Sequence, residues 1–361
     1  MRIAIFTELY APSVGGQELF FEGIAKSLRE RGHAVEVFTI GHEAGLPEHD
    51  VLDGIPVTRA PIVPTYKQPR WAWAKRNWGA IFRYALATRR IAARGEHDLY
   101  ILNQWPLLHA VTLPRRARAR AVLHWCEIRH GRFYRALQAV LPRLTRYNAA
   151  ISDSVGAAIT AASGRPVLTL PSGVTVADYL SPPRALRRDI LSLGRITAHK
   201  NLDMLVDSFE LLKAEGYGGR LLIAGDGPAM GALKARVARS TRAGDIVLLG
   251  LVDEVTKQKL LAESEVLAMT STREGFPRVV AEAMSSGLPV VTSAYPENGT
   301  KDVVARFGAG VVTATGAAAF AAGIRASLGD WEAYSQAGLA SARSLDWSGI
   351  ARDLEAHVAD A

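Results

Sequence analysis

A chain of 361 residues exceeds the roughly 250–300 at which a single hydrophobic core stops growing, so two domains are expected. It is 48% apolar and 22% charged, which excludes a disordered chain, and the lone Cys126 excludes an intrachain disulfide or a multi-cysteine metal site and fits a reducing compartment. The net charge of +8 is uneven: residues 1–170 carry 23 Lys/Arg against 13 Asp/Glu, and residues 171–361 carry 20 against 22, so the basic excess lies in the first half, where it suits an anionic ligand, an anionic membrane or nucleic acid.

Met1 runs directly into Ile3–Thr7, which reads as a core strand with no apolar leader before it, and no stretch of 18 apolar residues follows anywhere. Neither a signal peptide nor a membrane span is expected. Pro12-Ser13-Val14-Gly15-Gly16-Gln17 then forms a strand-to-helix turn, in which the glycine pair suits either a tight turn or a close backbone approach to a ligand. The helix Gln17–Arg31 follows, with Leu19, Phe20, Ile24, Ala25 and Leu28 at helical spacing. Strands are predicted at Ala34–Thr39, Asp98–Leu102, Ala121–Trp125, Asn148–Ser152 and Pro166–Leu170. Their alternation with helices predicts a mostly parallel sheet wrapped on both faces.

Between residues 171 and 188 proline, glycine and serine cluster as in a linker, and the alternation restarts. Second-set strands are predicted at Asp189–Leu193, Arg220–Ala224, Ile246–Leu249, Val266–Ala268, Pro289–Thr292 and Gly310–Val312. The expected domains are residues 1–175 and 176–345, with 346–361 a terminal helix packing back on the first. Two such α/β domains face each other across a cleft, and ligands bind beyond the strand carboxyl ends.

Four segments carry chemistry. Arg195 and Lys200, in the turn after the first strand of the second set, are two cations suited to a diphosphate, or two solvent-facing charges. Glu274 sits in a turn after a strand and Glu282 about two helical turns further on, a spacing at which the two acids grip hydroxyls of different sugars, or serve as a helix-start acid and a surface acid. The backbone N–H groups of Arg278 and Val279, just after Pro277, open that helix and suit phosphate oxygens. Gly225-Asp226-Gly227-Pro228-Ala229-Met230-Gly231 is a degenerate dinucleotide fingerprint with one residue too many before its last glycine. His124, at a strand end, suits substrate contact, proton transfer or a structural hydrogen bond, with Asn103, Gln104 and Ser152 at other strand ends.

These segments, in this order, resemble glycosyltransferase family 4, retaining enzymes of the two-domain α/β GT-B fold with Rossmann-like halves. The resemblance covers nearly the whole chain: Gly15-Gly16-Gln17-Glu18, Arg31-Gly32-His33, Leu170-Pro171-Ser172-Gly173, Gly194-Arg195 with Lys200, Ala224-Gly225-Asp226-Gly227-Pro228, and Glu274-Gly275-Phe276-Pro277 through Glu282-Ala283-Met284 to Pro289. The last block, with seven residues between its glutamates, is the specific one. The resemblance implies that Arg195 and Lys200 neutralise a donor diphosphate, and that Glu274 holds the transferred sugar beside Phe276 and Pro277. It implies that Glu282 binds the ribose, that Gly16 lets the backbone near the phosphates, and that His124 contacts the donor sugar. The segment Gly250-Leu251-Val252 would meet the base. Two positions depart from the family pattern: Pro277-Arg278 follow Glu-Gly-Phe, and Trp125 follows His124, with Glu127 a candidate for part of the polar role.

The sequence offers no metal-ligand spacing and no nucleophile with a paired base. The expected chemistry is therefore metal-independent, cofactor-free transfer with retained configuration. A hexose would pass from a nucleotide sugar, UDP by its frequency in the family, to a glycan, lipid-linked or small-molecule hydroxyl. Trp71, Trp73, Trp78, Phe82 and Tyr84, interleaved with Lys75, Arg76, Arg83, Arg89 and Arg90, read as a helix lying on an anionic membrane or as an acceptor-pocket or packing helix. A cytoplasmic place is expected, with the inner membrane face as a further expectation. A dinucleotide oxidoreductase would need a well-formed fingerprint after the first strand, which is lacking. A nucleic-acid binder would need a recognisable motif among the basic residues, which is also lacking, and the run Pro114–Arg120 reads as a solvated face.

Overall fold

The computed structural model describes residues 1–66, 77–106, 108–129 and 131–359. The chain forms two compact units: Met1–Gly173 with Trp347–Ala361, and Val174–Asp346.

The first unit is built on β1 (Arg2–Phe6), β2 (Ala34–Gly41), β3 (His49–Leu52), β4 (Ile55–Ile62), β5 (Leu99–Asn103), β6 (Ala121–Trp125), β7 (Tyr147–Ala150) and β8 (Leu168–Thr169). Their order in the sheet is β3-β4-β2-β1-β5-β6-β7-β8, parallel except for the β3–β4 hairpin. Ile3 lies opposite Val35 on one side and Leu99 on the other. The hairpin is absent from the sequence-based strand set, although Asp53-Gly54 is a hairpin signal; both residues take positive φ, 50° and 74°. The helix Gly16–Glu30 buries Phe20, Ile24, Ala25 and Leu28 of the predicted positions, with Phe21 buried in addition and Leu19 half-buried.

The second unit contains β9 (Ile190–Leu193), β10 (Leu221–Ala224), β11 (Ile246–Gly250), β12 (Val266–Met269), β13 (Arg273–Glu274), β14 (Val290–Ser293), β15 (Glu297–Asn298) and β16 (Gly310–Thr313). Six of these make a parallel sheet in the order β11-β10-β9-β12-β14-β16, while β13 and β15 pair separately. Successive strand residues face opposite sides: Leu191 and Leu267 join one apolar cluster, and Ile190, Val266 and Ala268 another. Both faces of this sheet are therefore covered, as its near-continuous apolar strands require.

In each sheet the order reverses beside the first strand, at β1/β5 and at β9/β12. In open α/β sheets the loops on either side of such a reversal leave in opposite directions, which is where ligands of this architecture bind, beyond the strand carboxyl ends.

Candidate active site

Strands β9 and β12 are neighbours, so the loops at their carboxyl ends meet. In the β9 loop Gly194 takes φ 142°, a value only glycine adopts readily. Residues Ala198–Lys200 make a single tight turn before the helix Leu202–Ala214. The β12 loop ties itself to this turn: Thr270 Oγ1 donates to Lys200 O at 2.8 Å, and Thr272 N donates to His199 O at 2.8 Å. On its far side β13 pairs with β15, and Gly299 N donates to Glu274 O at 2.9 Å. A Cβ on Gly299 would stand 2.2 Å from Gly275 O, so this clamp depends on glycine.

Held from both sides, Lys200 Nζ and Glu274 Oε1 lie 2.5 Å apart, with side chains 17% and 13% exposed. A lysine and a carboxylate separated by 74 residues thus form one charge-compensated pair at the reversal point of the sheet. Arg195 is exposed on the same loop and, among the described residues, has no carboxylate partner.

Glu282 lies on the helix Arg278–Ser285, whose N-cap, Pro277, supplies no side-chain acceptor; the first-turn N–H groups of Arg278 and Val279 open that end. The Glu282 side chain is only 5% exposed, and two cations meet its Oε1: Lys257 Nζ at 2.9 Å and Arg278 Nε at 3.2 Å. The Arg278 side chain therefore serves Glu282 one turn along its own helix. Nothing in the sequence pattern singles out Lys257, because a partner 25 residues away on another helix leaves no spacing signal. Val279 and Pro277 are buried, and Phe276 packs half-buried on the apolar core. Leu251 is 80% exposed and Val252 half-buried, just past Gly250 at φ 70°.

Gly225 has a reason of its own. Its N–H donates to Gly250 O at 2.7 Å, its φ is 137°, and a Cβ there would meet Gly194 O at 1.9 Å. Gly227 approaches Ile196 O in the same way, at 2.2 Å. The apparent fingerprint therefore packs three strand-end loops together, and the helix after it starts only at Met230.

In the first unit the β1/β5 reversal brings Asn103 to Thr7 and Gln17: Nδ2 donates to Thr7 Oγ1 at 3.1 Å and to Gln17 Oε1 at 3.2 Å. Gly15 is extended and caps the helix Gly16–Glu30, while a Cβ on Gly16 would meet nothing within 4 Å. Gln104 Oε1 accepts from the backbone N–H groups of Cys126 and Glu127.

Of the roles the sequence leaves open for His124, the geometry shows a structural hydrogen bond. His124 is 1% exposed and stacked on Phe20 at 3.9 Å, and its Nε2 donates to Leu170 O at 3.1 Å. That bond puts the proton on Nε2, leaving Nδ1 to accept from Cys126 Sγ at 3.4 Å. Burial pushes the imidazole down to about 4, so it is neutral near pH 7. Ser152 likewise caps the helix Asp153–Ser163 through Val155 N at 3.4 Å. Glu127 accepts from Trp105 Nε1 at 3.0 Å and Arg129 Nε at 2.7 Å, with the Arg129 guanidinium 4.2 Å from the Trp105 ring centre.

Of the aromatic-basic stretch, Trp71, Trp73, Lys75 and Arg76 lie outside the described residues. The rest forms the helix Trp78–Arg94. Tyr84 is buried, donating to Thr7 O and Phe38 O. Trp78, Phe82 and Leu86, four residues apart, are exposed on one face with Arg83, Arg89 and Arg90. No helix among the described residues is long and apolar enough to cross a membrane.

Two family models match the chain: "Glycosyl transferase 4-like domain" over residues 15–166 and "Glycosyl transferases group 1" over residues 183–343. Among curated proteins, the GDP-mannose:cellobiosyl-diphosphopolyprenol alpha-mannosyltransferase of Komagataeibacter xylinus is 25% identical, with 82% of this chain and 76% of that protein covered. The GDP-mannose-dependent alpha-(1-6)-phosphatidylinositol dimannoside mannosyltransferase of Mycobacterium tuberculosis is 26% identical, covering 81% and 79%. Among solved structures, a sucrose-phosphate synthase from Thermosynechococcus elongatus superposes with TM-score 0.81 at 17% identity, over 99% of this chain and 98% of that one. HepE of Anabaena, in complex with UDP, gives 0.77 at 20% identity over the full length of both.

Proposed function

The chain belongs to the family 4 type of glycosyltransferases with the GT-B fold, enzymes that transfer sugars from nucleotide sugars, and from that premise we propose which residues of this chain do so and how. The transferred group is a hexose, and the acceptor a hydroxyl of a glycan, a lipid-linked or a small molecule. The observation that carries the reading is the Lys200–Glu274 pair at the β9/β12 reversal, with Arg195 on the same loop. Donor binding exchanges partners in this pair: the diphosphate takes Lys200 and Arg195, and Glu274 turns to hydroxyls of the transferred sugar. The N-terminus of the helix Arg278–Ser285 adds N–H groups to the phosphate, Glu282 binds the ribose and the Leu251-Val252 segment meets the base. These positive groups balance the charge on the departing diphosphate, so no metal ion is required. The acceptor oxygen bonds to the anomeric carbon on the face the diphosphate leaves, and a diphosphate oxygen takes the acceptor proton. Configuration is retained.

A UDP-sugar is the donor expected from the family. GDP-mannose is the second reading, favoured by the names of two relatives that align over most of this chain. Thermal-shift titration with UDP-, GDP- and ADP-sugars, followed by turnover assays in a chelator, tests both readings. We expect stabilisation by one base class and turnover unaffected by the chelator. Glu274→Ala should lower kcat by at least about a hundredfold while nucleoside diphosphate affinity stays within about threefold. Full transfer by that variant, or no binding of any nucleotide sugar, would overturn the assignment.

A second surface extends the reading. Trp78, Phe82 and Leu86 with the neighbouring arginines suit the interface of an anionic bilayer, and so a peripheral place on the inner membrane face. Vesicle flotation should show retention on anionic but not neutral lipid at low salt, weakened in Trp78→Ser/Phe82→Ser. No lipid-dependent flotation at any salt rejects this surface.

A further inference from the structure

We propose that Lys257 is a positioning residue of the donor site, holding and orienting the Glu282 carboxylate toward the nucleotide ribose and so setting donor affinity without touching the sugar that moves. The proposal rests on the donor-site reading above, in which Glu282 faces the ribose. It begins from a cost: a carboxylate with 5% of its side chain exposed is destabilised unless cations or donors surround it. Glu282 has two cations, and both meet the same oxygen, Oε1. Arg278 comes from its own helix, four residues earlier, so it moves with Glu282 and fixes nothing relative to the rest of the unit.

Lys257 comes from elsewhere. It lies on the helix Glu254–Glu263, which starts four residues after Gly250 and so directly follows the segment proposed to meet the base. Its ammonium is held between Glu254 Oε2 and Glu282 Oε1, each at 2.9 Å. Glu254 is the more exposed of the two partners and anchors the lysine from its own helix, so the ammonium is aimed before it meets Glu282. Tyr179 also meets Glu282, by a side-chain hydrogen bond; its phenol is pushed up first by burial and then by the Glu282 and Glu254 charges, so it stays neutral and cannot replace the lysine as a counter-charge.

The link therefore couples the base-side helix to the ribose-side helix through one ion pair. A carboxylate that grips adjacent ribose hydroxyls must present a fixed plane, and the terminal torsion of a glutamate is soft. Lys257 on Oε1 fixes that plane. Replacing it with methionine keeps the length and removes the charge, leaving the carboxylate to rotate toward Arg278.

The test compares a nucleoside diphosphate that the wild type binds with its 2′-deoxy and 3′-deoxy forms, by titration calorimetry, alongside donor kinetics. The wild type should prefer the ribo form by about tenfold or more. Lys257→Met should cut that preference to within about threefold and raise donor KM about tenfold, with kcat within about threefold. Lys257→Arg should restore most of both, and adding Lys257→Met to Glu282→Gln should cost nothing further. Equal loss of ribo and deoxy affinity in Lys257→Met, or retained discrimination, overturns the proposal while leaving the donor site standing. A wild type that binds nucleotide without discriminating overturns it through Glu282, and a wild type that binds no nucleotide overturns the donor-site reading itself. Lys257→Gln, with the same expected outcomes, serves if the methionine variant does not fold.

Discussion

At the scale of single residues, the first unit holds titrating groups that act in separate pH windows. Burial lowers His109 and His124 to about 4, from the ordinary 6.5. Their neutral forms stabilise the fold, and that contribution is complete above about pH 6.5 and is lost as pH falls toward 4, where the unfolded chain binds protons that the folded one refuses. Glu355 is different. Hydrogen bonds from Arg31, at 2.8 and 2.6 Å, and then His33, at 2.7 Å, hold it down to about 2. Its contribution is present above the ordinary value of 4.5 and is lost as pH falls from there toward 2. Thermal melts from pH 7.5 to 3 should therefore show two successive losses, with His124→Gln flattening the upper one and Glu355→Gln the lower. A wild-type midpoint constant between pH 6.5 and 4 would contradict the buried, neutral His124.

At the scale of elements, glycines divide by what their missing side chain permits. Gly225 combines φ 137° with an approach to Gly194 O that leaves no room for a Cβ. Gly225→Ala is expected to destabilise the second unit by roughly 2–4 kcal/mol, read as a fall in its denaturant midpoint. Gly16 has neither constraint, and a Cβ there would project into open space. Gly16→Ala should leave stability within about 0.5 kcal/mol, because nothing stands within 4 Å of the added Cβ. Equal damage to stability from both variants would mean that Gly16 serves the fold alone. The sequence shows the two glycines as equivalent turn signals, since φ and the distance to a neighbouring loop are set by other strands.

At the scale of the whole molecule, the chain leaves the first unit after Gly173 and returns to it at Trp347. The returning helix Trp347–Ala359 seats its indole on two glycines: a Cβ on Gly23 would stand 2.1 Å from Trp347 Cε2, and one on Gly173 would stand 2.6 Å from Cδ2. Phe20 meets the same ring edge-on at 5.8 Å, and Tyr147 donates to Val358 O at 3.0 Å. Trp347→Ala removes a large buried side chain and should cost the first unit about 3–5 kcal/mol. Calorimetry should then show one transition shifted and the second-unit transition in place; a shift of both by the same amount would contradict the two-unit division.

The sequence by itself determined the class of fold, because runs of apolar strands between amphipathic helices have few other ways to bury their surface. It also singled out Glu274, Glu282, Arg195 and Lys200 as candidates, because they stand in local patterns tied to strand ends and helix starts. It left open whether those charges were paired, which cations attend Glu282, why Gly225 and Gly173 are glycines, and that His124 is enclosed. Each of these depends on contacts between segments far apart in the chain. Lys200 meets Glu274, Lys257 meets Glu282 and Trp347 meets Gly23 only because sheet order and helix packing bring them together, and no local spacing encodes that.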